Sequence, residues 1–252
     1  MINIIQAELD ISNKLKKAME TSCDDALYFS DDETNLIDAE YLLTVNSAKA
    51  IQELNQGFGV PYKIRLEDNT KRFATACTPI LGKKPADNFM GFKSVARCQN
   101  DTRRPGKIDI AIYIDSNGFD QAFCPIEVKG FNANKREIVK DLQRNADYFN
   151  LSSPTGKSEL PFAFFVALHS YQKVWSDSKE AKNIEKVERK YEGYIAEDDE
   201  LKKLCHKIDV TTIRRGSLPE QDDPYIQQFG LNGDEDYHFI GVIVVTQKCE
   251  ST

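Results

Sequence analysis

The chain has 252 residues, 40% of them apolar and 29% charged, and its formal net charge is −7. Those proportions are ordinary for a folded domain and exclude wholesale disorder, and no stretch approaches the roughly 18 consecutive apolar residues of a membrane-spanning helix. The opening segment MINIIQAELDISNKL has carboxylates where a signal peptide places a basic and then an apolar run, so a cytoplasmic chain without a membrane partner is expected.

Residues 4–20 have helical texture, predicted to end near Thr21-Ser22. A second helix is predicted over Asn35–Asn55, free of Gly and Pro, with Asp32, Thr34 and Asn35 as N-caps. At about 100° per residue, Leu36, Leu43, Ala50, Ile51 and Leu54 form one stripe, and Glu40 and Ser47 fall inside it. Val60–Glu67 alternates as a strand, Asp68-Asn69 offers a turn, and Phe73–Ala76 is read as a strand returning beside it. Residues 80–106 are rich in Gly, Pro, Asn and basic side chains, which predicts a loop-rich insertion with a short element near Phe92–Arg97.

The clearest signal follows. Lys107–Asp115 (KIDIAIYID) alternates, with Ile108, Ile110, Ile112 and Ile114 on one face and Asp109, Ala111 and Tyr113 on the other. Ser116-Asn117-Gly118 supplies turn chemistry. Phe123–Lys129 (FCPIEVK) returns with Cys124, Ile126 and Val128 on one face and Glu127 and Lys129 on the other. A helix is predicted at Asn134–Phe149 around Ile138, Leu142 and Phe149, then a buried strand at Pro161–Leu168. A charged helical region over 178–204, broken near Gly193, and a final strand at Tyr237–Thr246 after a polar loop complete the chain. This order predicts a mixed sheet covered by helices on both faces, in one domain spanning residues 1–252. The six cysteines are scattered, with no CxxC pair, so reduced thiols are expected and zinc is not.

Four Glu-x-Lys triplets occur, starting at Glu127, Glu180, Glu188 and Glu200. The last three lie in the charged helical region, where positions i and i+2 point apart. Glu127 and Lys129 lie in a strand, where they share a face, and the hairpin sets that strand beside the one holding Asp109. Two carboxylates and an amine on one surface can hold Mg²⁺ or Mn²⁺ through oxygen and stabilise charge on a phosphate under attack. The lysine can position water and, once desolvated, titrate closer to neutrality. The bland alternative is a salt-bridge cluster on a half-exposed sheet.

This pattern resembles the PD-(D/E)XK, or restriction-endonuclease-like, nuclease superfamily. The resemblance implies an α/β fold with an α-β-β-β-α-β core over about residues 34–168, an insertion at about 80–106 and a C-terminal α/β extension over 169–252. It implies that Asp109, Glu127, the Val128 carbonyl and Glu40 hold Mg²⁺ or Mn²⁺, that Lys129 orients the attacking water, and that Glu40 supplies the acid of the first core helix. Ile108 stands where the family often has proline. Gln143 resembles a glutamine of some members, but its spacing to Tyr148 departs from QxxxY. The implied activity is hydrolysis of DNA, with restriction or phage defence as a setting and RNA left open. The alternative is a silent nuclease-fold subunit that binds nucleic acid or serves as a scaffold, or one activated by an ATPase or sensor chain. A homo-oligomer is also left open.

Residues 60–144 hold 16 Lys/Arg against 10 Asp/Glu, so the segment carrying these residues is locally basic within an acidic chain. Arg103, Arg104, Lys107, Lys135, Arg136, Lys140 and Arg144 are the expected phosphate contacts. Thr155-Gly156-Lys157-Ser158 ends like a phosphate loop but lacks its upstream glycine. His169, His206 and His238 are far apart and read as structural.

Overall fold

A computed structural model of the chain describes residues 2–30, 39–56, 61–85, 92–172, 177–217 and 236–249. Its centre is a six-stranded mixed sheet in the order β1-β4-β5-β8-β10-β9. These strands are β1 Lys63–Asn69, β4 Lys107–Ser116, β5 Phe119–Phe131, β8 Ala163–Gln172, β9 Cys205–Ser217 and β10 Asp236–Gln247. Only the β5–β8 pair is parallel, as a helical crossover between them requires; all other neighbours run antiparallel. That crossover contains α4, Lys135–Phe149, whose N-cap Asn134 accepts from the Glu137 N–H.

Helices cover both faces. Helices α1 (Ile4–Ser30) and α2 (Ala39–Gln52) lie over Ile110, Ile112, Ile126, Val128, Phe164 and Val166. On the other face, α4 and α5 (Asp177–Glu197) bury Phe165, Ala167, Ile240, Val242 and Val244. Further along, α3 (Thr70–Ala76) packs on Ala111 and Tyr113. The strict alternation read in KIDIAIYID therefore separates two cores, except that Ile108 joins Ala111 and Tyr113. Between β4 and β5 the turn is built on Asn117 and Gly118, at φ 54° and 83°, the left-handed pair that a tight hairpin turn demands.

Several expectations need correction. The segment around Phe73–Ala76 is the helix α3: Asn69 caps it by accepting from the Lys71 N–H at 2.8 Å, which starts a helix where a turn into a strand was expected. Helix α1 continues past Thr21-Ser22 to Ser30, burying Cys23 and Ala26 on the same stripe as Leu15 and Met19. Helix α5 runs through Gly193 without a break. The insertion is partly ordered as a hairpin of β2 (Leu81–Pro85) and β3 (Phe92–Ala96), and a second short hairpin after α4 pairs β6 (Ser152–Ser153) with β7 (Gly156–Lys157). Strand β9 was hidden in a polar stretch because an edge strand has one hydrogen-bonded neighbour and needs no continuous apolar run. Leu36 and the caps Asp32, Thr34 and Asn35 lie outside the described residues, as does Val60.

The described part of residues 169–252 does not stand apart from the sheet. Strand β10 pairs with β8 from Tyr237↔Gln172 to Thr246↔Ala163. At Gly241 a Cβ would collide with Met19 of α1 and Ile213 of β9, so glycine permits the close approach of α1 to this half of the sheet. The expectation of thiols throughout also fails: Cys205 and Cys249 form a disulfide, because pairing of Gln247 with Cys205 brings the end of β10 to the start of β9. Cys23, Cys77, Cys98 and Cys124 remain free. No helix among the described residues is long and apolar enough to cross a membrane.

Candidate active site

Asp109, Glu127, Lys129 and Glu40 line one cleft of about 370 Å³, together with Asp141 and Arg144 of α4. The hairpin accounts for three of them. Its register runs down to Ile110↔Ile126, so Asp109 and Glu127 are the next positions on adjacent strands, and Asp109 Oδ2 accepts from the Val128 N–H at 2.6 Å. Two residues on, the β5–β8 register shifts between Lys129 and Phe131. Gly130 falls in that bulge, and its N–H donates to Glu40 Oε2 at 3.4 Å. Glu40 sits in the first turn of α2, where the helix end meets β5.

Lys129 is the hub. Its Nζ lies 3.2 Å from Glu40 Oε1, 3.1 Å from Asp141 Oδ2 and 3.1 Å from the Val128 carbonyl oxygen. Burial alone would lower the pKa of its ammonium group. The charges of Asp141, Glu40 and Asp109 outweigh burial and hold it above its ordinary value. Desolvation, which would bring Lys129 toward neutrality, is thus outweighed by its acidic neighbours, which favour the charged ammonium.

Glu127 is only 1% exposed and meets Arg144, with Oε1 2.8 Å from Nη1. Burial, then the charges of Asp109 and Asp141, push its carboxyl well above the usual range, with Arg144 working against them. Asp109 is pushed up to about 6, by burial first, with Glu40 and Asp141 adding to it and the Val128 N–H and Lys129 opposing. The lining as a whole sets five carboxylates (Glu40, Asp109, Glu127, Glu137 and Asp141) against four cations (Lys107, Lys129, Lys140 and Arg144), a formal excess of one negative charge.

The donor chemistry fits a hard divalent cation: carboxylates, a backbone carbonyl and surplus negative charge. The side-chain arrangement is closed. Among the described residues no three acid, histidine or cysteine side chains are grouped so as to hold a metal ion. The reason is visible in the contacts, since Glu127 is held by Arg144, Glu40 and Asp141 by Lys129, and Asp109 by the Val128 N–H.

Asp141 was missed by the sequence reading, although a signal existed. It lies on the buried stripe of α4 between Ile138 and Asn145, an acid in core phase on the helix that follows the Glu-x-Lys strand. Arg144 was placed among the phosphate contacts, and the structure buries it at 7% exposure. The other expected contacts divide. Arg104 is bound to Asp147 at 3.0 Å and Glu200 at 3.2 Å, and Arg103 reaches the same Glu200 at 2.5 Å. Lys107 pairs with Glu67 at 3.3 Å and Lys135 with Glu197 at 2.5 Å, both with exposed side chains. Arg136 and Lys140 are exposed and line a groove of about 590 Å³ along α4, and Lys140 also borders the cleft. Gln143 donates to Asp198 at 2.6 Å and does not line the cleft.

His169 lies between Asn132 and Tyr191, and burial lowers its pKa to about 4, so it serves as a neutral core group. The chain matches no family model, no curated protein and no solved structure.

Proposed function

We propose that this chain is a metal-dependent nuclease that hydrolyses phosphodiester bonds in DNA, of the restriction-endonuclease-like kind. The observation that carries the reading is the meeting of Glu40 with Lys129. A carboxylate singled out by the resemblance and by its helical phase, on a helix distant in sequence, stands 3.2 Å from the lysine of the strand triplet. A chance surface cluster gives no reason for that helix to aim an acid there.

In this reading Asp109, Glu127, Glu40 and the Val128 carbonyl would hold Mg²⁺ or Mn²⁺, which would supply Lewis-acid stabilisation of phosphate charge. Lys129, kept charged by its acidic neighbours, is placed to orient a water in the cleft and to attract the phosphoryl oxygens. Exposed Lys140 at the cleft and Arg136 in the groove along α4 serve as non-specific phosphate contacts. A second reading is favoured by the Glu127–Arg144 pair: a silent nuclease-fold subunit, or one released by an ATPase or sensor partner, in which the acids stay committed to internal cations.

Incubation of supercoiled plasmid with the chain in Mg²⁺, Mn²⁺ or EDTA tests the proposal, with Asp109→Ala and Lys129→Ala as controls. The nuclease reading requires cutting that depends on metal and is lost in both variants. Cutting that survives both substitutions refutes it, and a folded chain that never cuts leaves the second reading in its place.

A further inference from the structure

Glu127 is the acid that the nuclease reading most needs, yet one of its oxygens is already engaged by a cationic side chain of the chain itself. Arg144 Nη1 donates to Glu127 Oε1 at 2.8 Å and to the Lys107 carbonyl at 3.1 Å. Its Nη2 lies 3.2 Å from Asp141 Oδ1. Its Nε is buried with no partner. An arginine 7% exposed cannot meet a phosphate backbone from that position, and one with an unpaired buried nitrogen is not optimally housed.

We infer that Arg144 is the built-in counter-ion of Glu127, and that a divalent cation enters the cleft by displacing its guanidinium from that carboxylate. The inference deepens the nuclease reading and rests on it. Charge explains why such a residue is needed. A carboxylate buried to 1% exposure without a cation is strongly unfavourable, so a chain that must fold before it meets metal needs an internal substitute. Charge also explains why the substitute can be displaced. One guanidinium is shared between Glu127 and Asp141, so neither acid has a cation to itself, and the acids of the cleft still outnumber its cations. Asp141 and the Lys107 carbonyl are the partners that retain Arg144 once Glu127 is given up. Arg144 is thus a positioning residue that competes with the metal.

The test is Mn²⁺ uptake by the full chain stripped with EDTA, read from the electron paramagnetic resonance signal of free Mn²⁺, beside plasmid cleavage. Arg144→Gln keeps much of the volume and removes the charge, and is expected to bind Mn²⁺ about tenfold tighter than wild type or more, within the range by which groups behind metal ligands tune affinity. Arg144→Lys keeps the charge and is expected to stay within about threefold of wild type. Asp109→Ala is expected to abolish uptake in either background. An Arg144→Gln chain that is folded and binds Mn²⁺ no tighter than wild type overturns the inference. Should Arg144→Gln be unfolded without metal, millimolar Mn²⁺ is expected to restore its circular dichroism, and a chain that stays unfolded there overturns the inference as well. Cleavage by wild type with no gain of affinity in Arg144→Gln removes the counter-ion role and leaves the nuclease reading standing. Tightened uptake with no cleavage by any variant does the reverse, and no uptake by any variant overturns both.

Discussion

Lys129 Nζ stands between Glu40 Oε1 at 3.2 Å and Asp141 Oδ2 at 3.1 Å, one acid from a helix on each side of the sheet. A lysine clamped in this way keeps its proton and its position, which suits it to bind a phosphoryl oxygen or hold a water. It does not suit a general base.

Glu40 contributes to this clamp from a side chain that is 40% exposed, so its ion pair adds little to stability, about 0–1 kcal/mol. Glu40→Gln is expected to leave the melting temperature nearly unchanged while lowering metal-dependent cleavage by about 10- to 100-fold. Thermal melts paired with single-turnover cleavage rates check this. A large loss of stability with unchanged cleavage would reassign Glu40 to the core.

Asp109 supplies a pH signature. Its carboxyl titrates near 6 in the folded chain, above its ordinary value, because burial disfavours the charge. The folded state therefore binds more protons than the unfolded state between the two values, and stability falls as pH rises from about 4 to 6. Without metal, Asp109→Asn is expected to melt higher than wild type at pH 7.5, and the difference should vanish near pH 4. Metal uptake by wild type should rise as pH passes 6. Melts in EDTA across this range check both, and an Asp109→Asn chain less stable at pH 7.5 would contradict them.

The arginines and lysines separate into two groups. Arg104 is tied to Asp147, which is only 4% exposed, so Arg104→Ala should cost stability, on the order of 1–3 kcal/mol. Lys140 is exposed at the cleft and Arg136 is exposed on the same helix in the groove next to it, so charge-removing substitutions there should weaken DNA binding without destabilising the fold. Each lost phosphate contact should reduce the salt dependence of binding by about 0.9 in the log–log slope. Fluorescence anisotropy at several salt concentrations decides this; equal affinity in all variants removes α4 from the interface.

The disulfide closes a loop with a sequence separation of 44 between Cys205 and Cys249. Chain-entropy reasoning assigns such a closure up to about 4 kcal/mol. Reduction, or Cys205→Ser, is expected to lower the melting temperature by loosening the β9–β10 edge, with cleavage retained below the new melting point because the cleft lies across the sheet at β4 and β5. Non-reducing mass spectrometry with thermal melts checks this.

Much of the arrangement was legible in residue order because it depends on local periodicity. Period-two alternation assigned Asp109, Glu127 and Lys129 to one surface, the Asn117-Gly118 turn joined their strands, and the family resemblance together with helical phase selected Glu40. Strand β9 and helix α3 were not legible, since an edge strand needs no apolar run and a seven-residue helix depends on a cap at Asn69 and on the burial of Phe73. Partner choice was beyond the sequence altogether. That Arg144 turns inward to Glu127, that Asp141 grips Lys129, and that Cys205 meets Cys249 depend on distances across the sheet and its covering helices. Local backbone geometry determines which way a side chain points; what it meets there is decided only when distant segments pack and each buried charge must find a counter-charge.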